Sequence, residues 1–264
     1  MTATRTAGQD WLRTFHPAPD APVRLACFPH AGGAAGLFRG LARDLARSAD
    51  AELVAVQYPG RQDRRAEPVA TDLGVLADHA ADGLAAADPR PLVLFGHSMG
   101  ALVAFETAER LHARGVPLAG LIVSGRRAPH LNRPGRVHTR SDEGLVASLR
   151  ELGGTHDGLL ADERFLRLIL PAVRGDYQAV ETYRRALSPA RLTCPVLAVV
   201  GDDDPLVTAE EAGQWALHTR GAFEQRTVPG GHFTLVQDRA GLGALLREGI
   251  GAVLREGLGA LRVP

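Results

Sequence analysis

The stretch 91–108 constrains the fold of this chain more than any other. Pro91-Leu92-Val93-Leu94-Phe95 is a short apolar run with the length of a buried strand. Gly96-His97-Ser98-Met99-Gly100 follows, and then Ala101-Leu102-Val103-Ala104-Phe105-Glu106-Thr107-Ala108, apolar at helical spacing. Strand, Gly-x-Ser-x-Gly and helix in this order predict a nucleophile elbow, a turn so tight that both glycines are needed to keep Cβ atoms out of the way. Such a turn lifts the serine hydroxyl clear of the sheet edge and sets it at a helix N-terminus. A serine that merely caps a helix is the competing reading of the same five residues. The strand before it favours the elbow.

Beyond this stretch, short apolar runs alternate with longer amphipathic ones, which predicts an α/β fold with a mostly parallel sheet and helices on both faces. Strands are predicted at 23–28, 52–57, 91–95, 118–124, 196–200 and 223–228, and helices at 37–46, 72–87, 101–113 and 209–217. Residues 126–192 break the rhythm. They carry no convincing strand pattern, yet 143–152, 163–173 and 176–186 are apolar at helical spacing. A structureless loop of that length would be unusual, so the segment reads as a helical lid inserted over the C-terminal edge of the sheet. The organisation expected is an N-terminal segment 1–20, a core made of 21–125 and 193–253, the lid 126–192, and an extension 254–264. A near-duplicate spans the last boundary, Leu246-Arg247-Glu248-Gly249-Ile250-Gly251-Ala252-Val253 and then Leu254-Arg255-Glu256-Gly257-Leu258-Gly259-Ala260-Leu261. A period of eight is too short for a solenoid unit. The first copy is expected to close the last helix and the second to extend it.

Composition removes several kinds of chemistry. All 30 basic residues are arginine, which excludes a Schiff-base lysine, a lysine-based phosphate loop and a Ser-Lys dyad. The formal net charge of +0 offers no argument for nucleic acid. Cys27 and Cys194 lie in apolar runs and read as buried free thiols in a reducing cytosol rather than a disulfide. The opening Met1 to Pro19 is polar with no apolar core of a signal peptide, and no run reaches membrane-spanning length. The expectation is a soluble cytoplasmic protein.

A serine hydroxyl needs a base to take its proton and an acid to orient that base. In sheets with this elbow the chain order is Ser, then Asp or Glu, then His. The apolar strand 196–200 runs into Gly201-Asp202-Asp203-Asp204-Pro205, at the same sheet edge as the elbow. Asp204 is the acid chosen, because a Gly-x-x-Asp turn carries its side chain past the strand end and Pro205 fixes the next φ; Asp203 and Asp202 are the alternatives. His232, in Pro229-Gly230-Gly231-His232-Phe233 after the last strand, is the base. His112, His138, His156 and His218 fall on polar helices or loops and read as structural, while His97 sits inside the elbow and steadies the turn. A developing oxyanion needs two preorganised N–H donors. Met99, next after the serine, offers one. Ala31, in the loop Phe28-Pro29-His30-Ala31-Gly32-Gly33-Ala34-Ala35-Gly36, offers the other. This loop does not fit Gly-x-Gly-x-x-Gly, so a nucleotide site is not supported.

Taken together, several motifs resemble the type II thioesterases, stand-alone α/β-hydrolases that accompany modular polyketide and non-ribosomal peptide synthases. They are Phe28-Pro29-His30-Ala31-Gly32-Gly33, Gln57-Tyr58-Pro59-Gly60-Arg61, the elbow with Ala101, and Gly230-Gly231-His232-Phe233. Within the insertion, Leu152-Gly153-Gly154-Thr155 and Leu170-Pro171-Ala172-Val173-Arg174-Gly175-Asp176 join them. The likeness runs from Pro22 to Gly249. It implies the α/β-hydrolase fold, a triad of Ser98, Asp204 and His232, and hydrolysis of acyl groups from the phosphopantetheine arm of an acyl or peptidyl carrier protein, clearing aberrant units. It implies no metal, no bound cofactor, no nucleic acid or membrane partner, and a monomer. The alternatives are a general acyl-CoA thioesterase or small-ester esterase, a product-releasing thioesterase, and a non-catalytic partner protein. Arg61, Arg64, Arg65, Arg126, Arg127, Arg133 and Arg136 read either as solvated surface charges or as a face for an acidic carrier protein or the pantetheine phosphate.

Overall fold

A computed structural model describes residues 9–85, 88 and 90–260. Its centre is a seven-stranded sheet in the order β1-β3-β2-β4-β5-β6-β7. The strands are β1 (Leu12–Arg13), β2 (Arg24–Phe28), β3 (Glu52–Val56), β4 (Leu92–His97), β5 (Leu118–Ser124), β6 (Val196–Gly201) and β7 (Phe223–Val228). All neighbours pair in parallel except β1, which runs antiparallel to β3. The six predicted strands are present to within two residues at each end. The seventh, β1, is a two-residue edge strand, too short to show any alternation in sequence.

Both faces of the sheet are buried, so period-2 alternation sorts the strand residues into two cores. Ala26 and Phe28 of β2, Leu92 and Leu94 of β4, and Val196 and Ala198 of β6 face one core; Leu25, Cys27, Val93, Phe95, Leu197 and Val199 face the other. The first core is closed by helices α2 (Leu73–Ala85) and α3 (Met99–Ala113), the second by α1 (Arg39–Ser48) and α9 (Arg239–Ala260). Cys27 and Cys194 are free thiols buried on opposite faces of the sheet. Burial pushes both thiols up, Cys194 to about 12, which leaves them inert.

Helix α9 runs through the first copy of the duplicated segment and on into the second as far as Ala260. Leu261 lies outside the described residues, as do Ala86 and Ala87, the predicted end of α2. Gly249 faces the sheet, where a Cβ would stand 3.1 Å from Ile122 Cδ1, so the glycine lets α9 approach β5 closely.

The segment 126–192 holds α4 (Asp142–Leu152), α5 (Asp157–Leu160) and α6 (Glu163–Thr182), and no strand among its described residues. Two predicted helices, 163–173 and 176–186, are here one continuous helix that ends at Thr182 rather than at 186. Gly175 does not break it. A Cβ there would meet Val69 Cγ1 at 2.3 Å, so this glycine is a packing contact between α6 and the core. After β6, α7 (Ala209–Gly213) passes into a 3-10 turn over Gln214–His218, which divides the predicted helix 209–217. Helix α8 (Thr234–Gln237) follows β7. Among the described residues no helix is long and apolar enough to cross a membrane.

The tightest backbone approach in the sheet region lies where β4 turns into α3. A Cβ on Gly96 would sit 2.1 Å from Gly100 O, and one on Gly100 would sit 2.1 Å from Phe28 O. Neither neighbour is a movable side chain. Gly100→Ala should therefore lower stability by ~1–3 kcal/mol or more, read as a fall in the urea midpoint, whereas Gly158→Ala, where a Cβ would come no nearer than 3.8 Å to a neighbouring atom, should move the midpoint far less.

Candidate active site

Three loops at the C-terminal ends of parallel strands carry the predicted triad to one place. Ser98 follows β4 with φ 55° and ψ −116°, a conformation that L-residues rarely adopt. Its N–H donates to Ser124 O at 2.8 Å, which ties the turn to the end of β5. This is the strained elbow expected from the sequence, not a capping serine: the side chain accepts no N–H from the helix it precedes. Ser98 Oγ lies 2.9 Å from His232 Nε2, and His232 Nδ1 lies 2.8 Å from Asp204 Oδ2. The imidazole and the carboxylate are almost wholly buried, with side-chain exposures of 1% and 0%.

The loops after β6 and β7 hold that geometry through each other. Gly230 N–H donates to Asp202 Oδ1 at 2.7 Å, Asp203 N–H donates to Gly230 O at 3.1 Å, and Asp202 N–H donates to Val228 O at 2.9 Å. Gly230 adopts φ 108°, and a Cβ on Gly201 would collide with Gly230 O at 2.2 Å. Asp204 Oδ1 accepts the Leu206 N–H at 2.8 Å, leaving Oδ2 to face His232. Of the three consecutive aspartates, Asp204 reaches the imidazole and Asp202 builds the loop.

The candidate donors Met99 and Ala31 line one cavity of about 70 Å³ together with Ser98. Met99 opens α3, where the first N–H groups of a helix have no carbonyl one turn back to receive them. Ala31 lies in the loop after β2, against which Gly100 is packed. The inserted segment adds walls through Leu149, Leu152, Thr155, Tyr177 and Val180, and His30, Leu206 and Phe233 complete them.

His232 is not the only imidazole here. His97 packs 4.9 Å from it between ring centroids, and His30 packs 4.9 Å from Phe233, the residue that also stacks edge-on to His232. Gly125, at φ 58°, makes room for two of the rings: a Cβ would stand 2.6 Å from His97 Cε1 and 3.3 Å from His232 Cε1. His97 Nδ1 lies 3.2 Å from Ser124 Oγ, so this side chain braces the turn, as its place inside the elbow suggests. Burial lowers the pKa of both rings, aided by the nearby His232; His30 falls to about 4. Among these three rings only His232 has a carboxylate partner, so a proton taken from Ser98 can rest there without a second cation beside it.

The remaining predicted residues separate. His156 is exposed and His112 half-buried, as expected of structural positions, and His138 holds Glu181 at 2.5 Å. His218 departs from the expectation of a polar site. It is 3% exposed, packed against Phe105 and Trp215, and its Nε2 lies 2.9 Å from His130 Nδ1; burial lowers it to about 4. The arginines are mostly not solvated surface charges. Arg61 is buried against Asp176, Arg64 is buried with Glu67 and the Gln57 carbonyl, and Arg126 lines the Ser98 cavity. Arg127 and Arg133 pair with Glu211; only Arg65 and Arg136 remain open to solvent without a described ion pair. His30 and Asp176 are the residues of this site that spacing alone did not single out, though both lie inside the motifs quoted above.

The buried imidazoles set a pH dependence of stability. His30 and His218 have folded-state values near 4 against an ordinary 6.5, so the unfolded chain takes up protons that the folded state refuses. Their contribution to stability is complete above pH 6.5 and is lost as pH falls from 6.5 towards 4. The urea midpoint should drop across that window, and the double variant His30→Asn/His218→Gln should show a flatter dependence than the parent chain.

Residues 23–249 match the thioesterase domain family. The "Probable cadicidin biosynthesis thioesterase" of Streptomyces griseus is 52% identical over 236 residues, 89% of this chain; the match spans 64% of that protein's length, a little under two thirds. Thioesterase PikA5 of Streptomyces venezuelae is 50% identical over 230 residues, 85% of this chain and 80% of that one. In three dimensions the type II thioesterase BorB from the borrelidin biosynthetic cluster superposes with a TM-score of 0.84 at 46% identity, covering 91% of this chain and 97% of that one. The chain belongs to the thioesterase domain family, enzymes that hydrolyse thioesters.

Proposed function

We propose that this chain is a type II thioesterase that hydrolyses short acyl groups from the phosphopantetheine arm of an acyl or peptidyl carrier protein, clearing aberrant units during polyketide or non-ribosomal peptide assembly. The observation that carries the reading is the relay from Ser98 to His232 to Asp204, at 2.9 and 2.8 Å, on the floor of a cavity roofed by the inserted segment. In this reading His232 Nε2 takes the proton of Ser98 Oγ as that oxygen attacks the thioester carbonyl. The carbonyl oxygen becomes an oxyanion received by the Met99 and Ala31 N–H groups, and Asp204 stabilises the imidazolium. The tetrahedral adduct collapses, the C–S bond breaks, and His232 returns the proton to the departing thiolate. Water then attacks the acyl-serine with His232 again as base, releasing the acid and restoring Ser98. The chain's own residues account for each proton transfer in this scheme, which assigns no step to a metal or cofactor.

Substrate size follows from the cavity. About 70 Å³ is small beside the ~300–1,000 Å³ of sites that enclose drug-sized ligands, which supports acyl units of a few carbons while 126–192 stays in this position. That segment is assigned as the lid, 21–125 and 193–253 as the hydrolase core, 1–20 as an N-terminal segment and 254–264 as a C-terminal extension. The relatives named for biosynthesis of cadicidin and the cluster of borrelidin support a carrier-bound substrate for this chain. The chain is assigned to the cytoplasm, acting as a monomer on its carrier partner.

Hydrolysis of acetyl, propionyl, hexanoyl and decanoyl groups, each on a carrier protein and on coenzyme A, tests the proposal. The short carrier-bound thioesters should have the highest kcat/KM, and Ser98→Ala should lower kcat by at least ~10³-fold. Equal or faster turnover of free acyl-CoA would overturn the carrier-directed role and favour a general thioesterase. Asp204→Asn should lose ~10²- to 10⁴-fold in kcat, while Asp203→Asn should stay close to the parent chain.

A further inference from the structure

Arg61 and Asp176 are separated by 115 residues and form a buried pair directly beside the oxyanion loop. Arg61 Nη1 donates to Asp176 Oδ2 at 2.6 Å and Nη2 donates to Oδ1 at 2.8 Å, a bidentate arrangement with exposures of 6% and 0%. Burial alone would push the Arg61 guanidinium down, but the Asp176 carboxylate outweighs it and holds the guanidinium above its ordinary value. The guanidinium therefore stays charged throughout the range in which a serine hydrolase works.

Each partner has a hydrogen bond left for the backbone around Ala31. Gly32 N–H donates to Asp176 Oδ2 at 2.7 Å, and Arg61 Nη1 donates to Gly33 O at 3.1 Å. Neighbours of Arg61 in sequence grip the same loop further out. Tyr58 Oη donates to Pro29 O at 3.3 Å, and Gln57 Oε1 accepts Ala35 N–H at 2.8 Å while its Nε2 donates to Arg61 O at 3.1 Å. The loop is thus held at Pro29, Gly32, Gly33 and Ala35, with Ala31 between the fixed points. Three of those grips come from the core. The fourth, at Gly32, comes from Asp176 on α6, in the inserted segment. Helix α6 also rests on Gly32 itself, where a Cβ would stand 2.8 Å from Val173 Cγ2.

We infer that the Arg61–Asp176 pair is a positioning device for the Ala31 N–H donor, and that it completes the oxyanion site only while α6 is seated on the loop. The inference rests on the thioesterase reading above and deepens it: the lid contributes to the transition state through the backbone it holds, besides walling the cavity. Neither side chain touches the reacting atoms. Displacement of α6 removes the acceptor of Gly32 N–H and frees the peptide that follows Ala31. The exposed ion pair between Arg174 and Asp142, 2.6 Å, also joins α6 to its surroundings but makes no contact with this loop, and serves as a control.

The test compares Asp176→Asn, Asp176→Ala, Arg61→Lys and Asp142→Asn with the parent chain, using a propionyl thioester and an alkylboronic acid. Boron adds to Ser98 Oγ and forms a tetrahedral adduct whose oxygen stands where the oxyanion stands. Rates are divided by the number of active sites titrated, so unfolded molecules do not enter. Per titrated site, kcat should fall ~10- to 100-fold in the Asp176 and Arg61 variants, with KM changed by less than about threefold. The boronate inhibition constant should rise by a factor similar to the loss in kcat. Asp176→Asn keeps an acceptor for Gly32 N–H and should retain more activity than Asp176→Ala; Asp142→Asn should match the parent. A kcat per site within about threefold of the parent in Asp176→Asn and Arg61→Lys, or boronate affinity unchanged beside a fallen kcat, would overturn the inference. Full activity in Ser98→Ala would instead overturn the underlying reading of the site, so the two failures are told apart.

Discussion

The site depends on one close approach of backbone to backbone. Strand β4 can turn into α3 over Ser98 only because Gly96 and Gly100 present no Cβ to each other or to the carbonyl of Phe28. That approach stacks the Ser98 turn directly against the start of the oxyanion loop. It also drives Ser98 into a positive-φ conformation that the flanking strand and helix maintain. The strain is local, and the buried apolar residues of β4 and α3 on either side, Val93 to Phe95 and Ala101 to Phe105, hold the ends in place. A hydroxyl presented in this way has lost most of its freedom before any substrate arrives, and preorganisation of that kind is what a nucleophile requires.

Around this turn the electrostatics are arranged by subtraction. Three imidazoles stand close to Ser98, with the buried Arg61 behind the oxyanion loop and Arg126 in the cavity wall, and a positive charge on a ring packed beside His232 would oppose the cation that forms there. Burial holds His30 and His97 neutral, Asp176 neutralises Arg61, and Asp204 is placed against His232. Charge can therefore appear at one ring. The histidines flanking the triad act as packing with a bracing hydrogen bond to Ser124, and they carry a stability penalty at low pH in return for a dry site.

The fold and the relay were largely legible in the sequence because both rest on local signals. Short apolar runs separated by amphipathic ones mark a parallel sheet buried on both faces, and the elbow announces itself through its two glycines. Asp204 and His232 follow once strand ends are located, since parallel strands deliver their trailing loops to one edge. What escaped was either too short or too distant in sequence. Strand β1 spans two residues and has no periodicity to read. Gly175 looks like a helix break until Val69 is seen against it. Arg61 reads equally as a surface charge or a carrier-facing one, Asp176 stands out only as the end of a motif in the inserted segment, and only the fold reveals that the two pair in the interior. His218 likewise lies on a stretch that reads as polar, but its partners Phe105 and His130 come from elsewhere in the chain. Pairings of that kind depend on tertiary placement, which local pattern does not encode.

The central claim is that Ser98 carries the acyl group between the two halves of the reaction. The most direct measurement is mass spectrometry of the protein quenched in acid during turnover of a propionyl thioester, followed by peptide mapping. The account predicts a propionyl adduct on the peptide containing Ser98, formed within the first turnover and absent from Ser98→Ala. Hydrolysis that proceeds with no covalent adduct, or with the adduct on another residue, would contradict it.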